Sequence, residues 1–137
     1  MRPNYSLKRT VQSLRDWSCR LAHALGAMAR PLTPPDIEAE LHFLSTSAGG
    51  KTRPASSGYR ADHDFGGSTL FGAHHEFVGA DVASPGESIR SLLWLLDPAS
   101  QVGRLYPGFE FSVQEGQQIV ARGVIVHVLN QALYRRA

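Results

Sequence analysis

Pro31, Pro34 and Pro35 mark a change in the period of this sequence. Before them, Leu7, Val11, Leu14, Leu21, Leu25 and Met28 fall at spacings of three, four and seven, with Trp17 beside them, which describes one face of an amphipathic helix. Proline lacks the amide donor and restricts the residue before it, so such a helix ends here. After the prolines the period is two. Ile37, Ala39, Leu41 and Phe43 alternate with Glu38, Glu40 and His42, and Phe109, Phe111 and Val113 alternate with Glu110, Ser112 and Gln114. A chain patterned this way forms strands with one dry and one wet face.

Glycine, proline and serine cluster at 48–58, 66–72, 84–86 and 103–108, and a glycine turn falls at 115–117, so six strands are predicted near 36–45, 59–65, 70–79, 87–97, 108–115 and 118–129. Many short strands with turn signals between them make an antiparallel sandwich or a closed barrel, and closure removes the exposed edges. The predicted organisation is a basic helical leader at 1–30, a proline-rich linker at 31–36, a β-domain at 37–130 and a tail at 131–137.

Two segments break the alternation. In 89–96 the phase of Ile89, Leu93 and Leu95 is apolar, but so is that of Leu92, Trp94 and Leu96. The second phase predicts an exposed protein-contact patch, covered by the leader helix or by a second barrel in a homodimer. In the last strand Val120, Val124, Val126 and Val128 share a phase with Arg122. An inward arginine is expensive without a partner, so either Gly123 marks a bulge or Arg122 lies at the barrel mouth.

The 137 residues suffice for one domain with a core, and a hydrophobic fraction of 42% argues against general disorder. Residues 1–30 hold six cations against Asp16, a net of +5, which leaves −3 on the rest of a chain whose total is +2. The positive charge that nucleic-acid binding needs is therefore concentrated outside the β-domain. The single Cys19 forms no internal disulfide, so folding needs no oxidising compartment. No apolar run approaches the roughly 20 residues of a membrane-spanning helix. A cytoplasmic location without membrane association is expected.

Several short motifs recur in a recognisable order. Glu38 to Ser45 opens the domain, Gly49-Gly50-Lys51 follows, and seven residues later comes Gly58-Tyr59-Arg60. Pro85-Gly86-Glu87-Ser88, Asp97-Pro98, Glu115-Gly116 and Gly123-Val124 complete the series. Their order and spacing over about ninety residues resemble the C-terminal, third domain of elongation factor Tu. The resemblance implies an all-β, closed, six-stranded antiparallel barrel, here with an N-terminal amphipathic helix and without the GTPase domain. In that family the barrel helps hold aminoacyl-tRNA by its T stem and meets the exchange factor and the GTPase domain.

Carried over by position, the resemblance implies a non-catalytic binding module with tRNA or a translation GTPase as partner. Its RNA-binding candidates are Lys51, Arg53 and Arg60, with the Glu115-Gly116 hairpin shaping the contact. The pattern also departs from the family. Thr52 replaces the loop histidine, Ala55 and Ser56 replace two phenylalanines, and Ala61-Asp62 replaces Pro-Gln. Gly66 to Thr69 replaces an Arg-Thr-Thr-Asp segment, and the residues around Gln101 to Pro107 are an insertion. Asp62 and Asp64 set carboxylates near the RNA surface, and carboxylates repel phosphate. The alternative from another class is a structural or regulatory protein-interaction barrel that binds no RNA.

No Gly-x-x-x-x-Gly-Lys-Ser/Thr loop is present, so no nucleotide is expected to bind, and no cofactor is implied. Asp62, His63, Asp64, His74, His75 and Glu76 have the chemistry of metal ligands, but neighbours in a strand point to opposite faces. They are expected to be polar decoration of the barrel surface, with no metal. No serine or cysteine carries a nucleophile motif, so no catalytic residue and no enzymatic activity is expected.

Overall fold

The computed structural model describes residues 31–136, and the helix expected over 1–30 lies outside the described residues. Eight strands follow one another: β1 Ile37–Phe43, β2 Ala55–Ser56, β3 Arg60–Asp64, β4 Phe71–Val78, β5 Val82–Ala83, β6 Ser88–Leu95, β7 Glu110–Glu115 and β8 Gln118–Val128. Six of them form a closed antiparallel barrel in the order β1-β6-β4-β3-β7-β8, with β8 returning to β1. The six lie within two residues of the predicted spans. β2 and β5 make a separate two-stranded ribbon. At two residues each they are too short to show a period.

The register decides which side chains share the interior, because residues opposite each other in a ladder point to the same face. Ile37 faces Leu93, Ala39 faces Ser91 and Leu41 faces Ile89 across β1 and β6. The inward phase of β6 therefore holds Ile89, Ser91, Leu93 and Leu95, and Leu92 and Trp94 lie on the outward phase. Across β4 and β6, His75 faces Leu93 and Phe77 faces Ser91. The interior is filled by Ile37, Leu41, Phe43, Phe65, Phe77, Leu93, Phe111, Val113 and Ile125, among others.

The last strand departs from the predicted phase. Val113 faces Ala121 but Gln114 faces Ile119, so Val120 is an extra residue in β8. Glu38 faces His127 but Ala39 faces Ile125, so Val126 is a second. These two bulges reset the alternation on either side of Arg122. Val120, Ala121, Ile125 and Val128 are buried, whereas Arg122 and Val124 point outward and are exposed. The guanidinium stays in water, and no bulge falls at Gly123. That glycine answers a different need: a methyl group there would overlap the Phe111 ring.

Asp36 seals the seam beside β1. Its carboxylate accepts the Leu95 amide at 2.8 Å and the Asn130 side-chain amide at 2.9 Å, and its carbonyl accepts the Leu129 and Asn130 amides. The segment set apart in the sequence as a tail is bound to the same unit. Leu105 N donates to Leu133 O, Arg135 N donates to Leu105 O, and Leu133 is buried.

Candidate functional site

Three separated motifs meet at one carboxylate. The Gly49-Gly50-Lys51 loop leaves β1 through a short helical turn, Thr46–Ala48, capped by the Ser45 side chain. Gly50 has no room for a side chain, since a Cβ there would overlap the Leu44 carbonyl. The Gln118 side chain donates to the carbonyls of Gly49 and Gly50 at 2.7 and 2.9 Å, tying this loop to the β7–β8 hairpin. That hairpin turns on Gly116 at φ 62°, a left-handed conformation suited to glycine.

The tie places Lys51 Nζ 2.8 Å from Glu115 Oε2. The Tyr59 hydroxyl donates to the same oxygen, and Lys51 Nζ lies 5.3 Å from the centre of the Tyr59 ring. Burial raises the Glu115 carboxyl, but the hydrogen bonds from Lys51 and Tyr59 and the lysine charge outweigh it, so its pKa is lowered. Tyr59 is raised above its usual value by burial, then by its hydrogen bond to Glu115 and that group's charge. The cluster holds an ionised carboxylate and a neutral phenol.

The RNA-binding candidates thus divide. Lys51, Glu115 and Gly116 are brought together. Arg60 opens β3, exposed, and lines a groove of about 330 Å³ with Asp62, Leu96, Gln114 and Glu115. Arg53 stands exposed in the loop between β1 and β2. Among the described residues, neither arginine is ion-paired. In the sequence Tyr59 stands only as part of the Gly58-Tyr59-Arg60 motif, with no binding role expected of it. Its hydroxyl is what links Arg60's neighbourhood to the hairpin.

The three protein-contact candidates do not form one exposed patch. Leu92 and Trp94 are on the outward phase but are buried, and only Leu96 is exposed, at 61%. Leu96 lies one residue beyond β6, its amide donating to Gly72 O at 3.0 Å, where the missing side chain of Gly72 makes room for it. Around Leu92 on the outward phase, Arg90 pairs with Glu38 at 3.0 Å and Glu40 at 3.3 Å, and His74 bonds Glu76 at 2.8 Å.

His63 and His75 are not surface decoration. Both are 0% exposed, inside the barrel, with their Nε2 atoms 2.8 Å apart. Burial lowers both imidazoles, His63 to about 4 against partial opposition from the Phe71 carbonyl and Asp62, and His75 well below its usual value. The signal was in the phase: His63 alternates with Ala61 and Phe65, and His75 with Ala73 and Phe77, all partly or fully buried. Among the described residues, no three His, Cys, Asp or Glu side chains are grouped to hold a metal ion, and no helix is long and apolar enough to cross a membrane. No protein-family model matches the chain.

Proposed function

We propose that this barrel is a non-catalytic binding module related to the third domain of elongation factor Tu, and that it binds through the surface around Lys51, Tyr59, Arg60 and the Glu115-Gly116 hairpin. The observation that carries this reading is the Glu115 carboxylate receiving both Lys51 and Tyr59. Three of the motifs behind the resemblance are thereby gathered on one surface. The ligand favoured by the resemblance is the stem of a tRNA. Because Lys51 is committed to Glu115, phosphate contact falls to Arg53 and Arg60. Two contacts imply a salt dependence of binding with a slope of about 1.8, at roughly 0.9 per phosphate. Equilibrium titration with aminoacyl-tRNA at low salt tests this, and absence of binding there ends the RNA reading.

The groove beside the cluster favours a second reading. It offers Arg60, Asp62 and Glu115 of both signs and the exposed Leu96. Mixed charge around an apolar side chain suits a polypeptide partner better than a polyanion. Under this reading the barrel contacts a translation GTPase, and cross-linking from Arg60 or Leu96 positions to that protein is the measurement that distinguishes it.

A further inference from the structure

His63, His75 and Ser91 come from three neighbouring strands, β3, β4 and β6, and meet in the barrel interior with 0% exposure each. His63 Nδ1 lies 3.1 Å from the Phe71 carbonyl, the two Nε2 atoms lie 2.8 Å apart, and His75 Nδ1 lies 2.9 Å from Ser91 Oγ. A carbonyl can only accept, which fixes the order of the protons. His63 donates from Nδ1, its bare Nε2 accepts from His75 Nε2–H, and His75 Nδ1 accepts the Ser91 hydroxyl proton.

This chain has poor options for an added proton. At His63 Nε2 it would confront the His75 N–H across 2.8 Å. At His75 Nδ1 it could be received only if Ser91 turned its hydroxyl to the Leu92 carbonyl, 3.3 Å away. Either position puts a cation in an interior where, among the described residues, no carboxylate bonds to the pair. The surrounding rings are Tyr59 and Phe77, 5.8 and 6.3 Å from His75, and Phe65 and Phe111, 5.8 and 5.9 Å from His63. The titratable groups nearest in charge, Asp62 and His74, lie on the outward phases of β3 and β4.

β3 is the shortest strand of the barrel, with five residues. It pairs with β4 through Arg60 to His63 and with β7 only through Asp62 to Asp64. His63 supplies an additional side-chain bond to β4 within that short ladder.

We propose that the His63–His75–Ser91 chain is a proton-sensitive latch on the barrel wall: in its neutral form it ties β3 to β4 and β6, and protonation of either ring releases β3. Tyr59 immediately precedes β3, packs on His75 and donates to Glu115, so release also withdraws the phenol from the Lys51–Glu115 pair.

The unfolded chain takes up protons on these rings below the ordinary value of 6.5, whereas the folded chain refuses them until about 4 at His63. Stability is therefore complete above that ordinary value and lost as the pH falls through the interval. The test is urea unfolding of the full chain between about pH 7.5 and 5, above the ordinary carboxylate range. It is paired with ¹⁵N NMR of the imidazoles and amide exchange. The unfolding constant should rise by up to about 10-fold per pH unit for each histidine, approaching about 100-fold for the pair. The double variant His63→Phe/His75→Leu should lose this dependence. Should that variant fail to fold, the wild-type spectra decide alone: at pH about 6 they should show His63 as the Nδ1–H and His75 as the Nε2–H neutral tautomer. In mild acid, β3 amides should lose protection before those of β1 and β8. A flat urea midpoint, either ring titrating near 6.5 in the folded protein, or equal loss of protection in all strands would overturn the proposal.

Discussion

The Lys51 ammonium and the Glu115 carboxylate, 64 residues apart in the chain, meet at 2.8 Å at the end of β7, where the β7–β8 hairpin turns. Neither group is free to act alone. The lysine side chain is only 15% exposed and the carboxylate 37%, so the pair is held by the fold more than by solvent-screened attraction. A positive charge that looks available in the sequence is thus internally compensated, whereas Arg53 and Arg60 carry no ion pair among the described residues.

Tyr59→Phe should reveal how far the cluster depends on the phenol. Hydrogen bonds to charged groups contribute about 1.5–3 kcal/mol, and the partial exposure of Glu115 reduces this to about 1 kcal/mol. The lowered pKa of Glu115 sets the sign with pH. Its contribution is complete above the ordinary carboxylate value of 4.5 and fades as the pH falls below it. Urea denaturation of parent and variant at neutral pH should show the difference, and it should narrow in acid. Equal stabilities at neutral pH would mean that the bond is not made in solution.

Gly123→Ala tests the close approach of Phe111. Overpacking of this kind costs about 1–3 kcal/mol. Phe111→Leu in the same chain should recover part of the loss, giving a non-additive cycle in thermal or urea unfolding. If the two substitutions simply add, the ring does not occupy the space over Gly123.

The strands were legible because alternation in β1 and β7 is nearly perfect, and because glycines stand where the chain must turn. Strand order was not, since a period says which face is dry and nothing about which strand is next. β8 misled for a physical reason: each extra residue, Val120 and Val126, inverts the phase, and two inversions leave a run of valines that reads as a single face. The histidines misled through their chemistry. Imidazole is usually exposed or half-exposed, and only agreement in phase with Ala61, Phe65, Ala73 and Phe77 signalled burial. Lys51 and Glu115 both fall in motifs that the sequence displays, but their contact depends on the loop-to-hairpin tie through Gln118, which no spacing in the sequence encodes.

Asp36→Ala should destabilise the seam. It leaves the buried Leu95 amide without its acceptor, a penalty of about 1–3 kcal/mol, and frees the Asn130 side chain. Asp36→Asn retains one carbonyl oxygen and should cost less. Amide exchange at Leu95 is the direct readout. Unchanged protection in Asp36→Ala would assign the closure of this edge to the backbone bonds alone.

Under the proposed tRNA reading, the division between paired and unpaired cations is measured in the salt dependence of binding. Arg53→Glu and Arg60→Glu should each weaken binding and reduce the slope by about 0.9, because each removes one phosphate contact. Lys51→Met should leave the slope unchanged while lowering stability, since its ammonium already has Glu115 as partner. A loss of a full contact in Lys51→Met would show that the lysine leaves Glu115 to meet phosphate, and the cluster would then be a binding residue with its counter-ion. If the arginine variants bind as the parent does, the contact lies elsewhere on the barrel, and the mixed-charge groove at Arg60, Asp62 and Leu96 becomes the surface to pursue with protein partners.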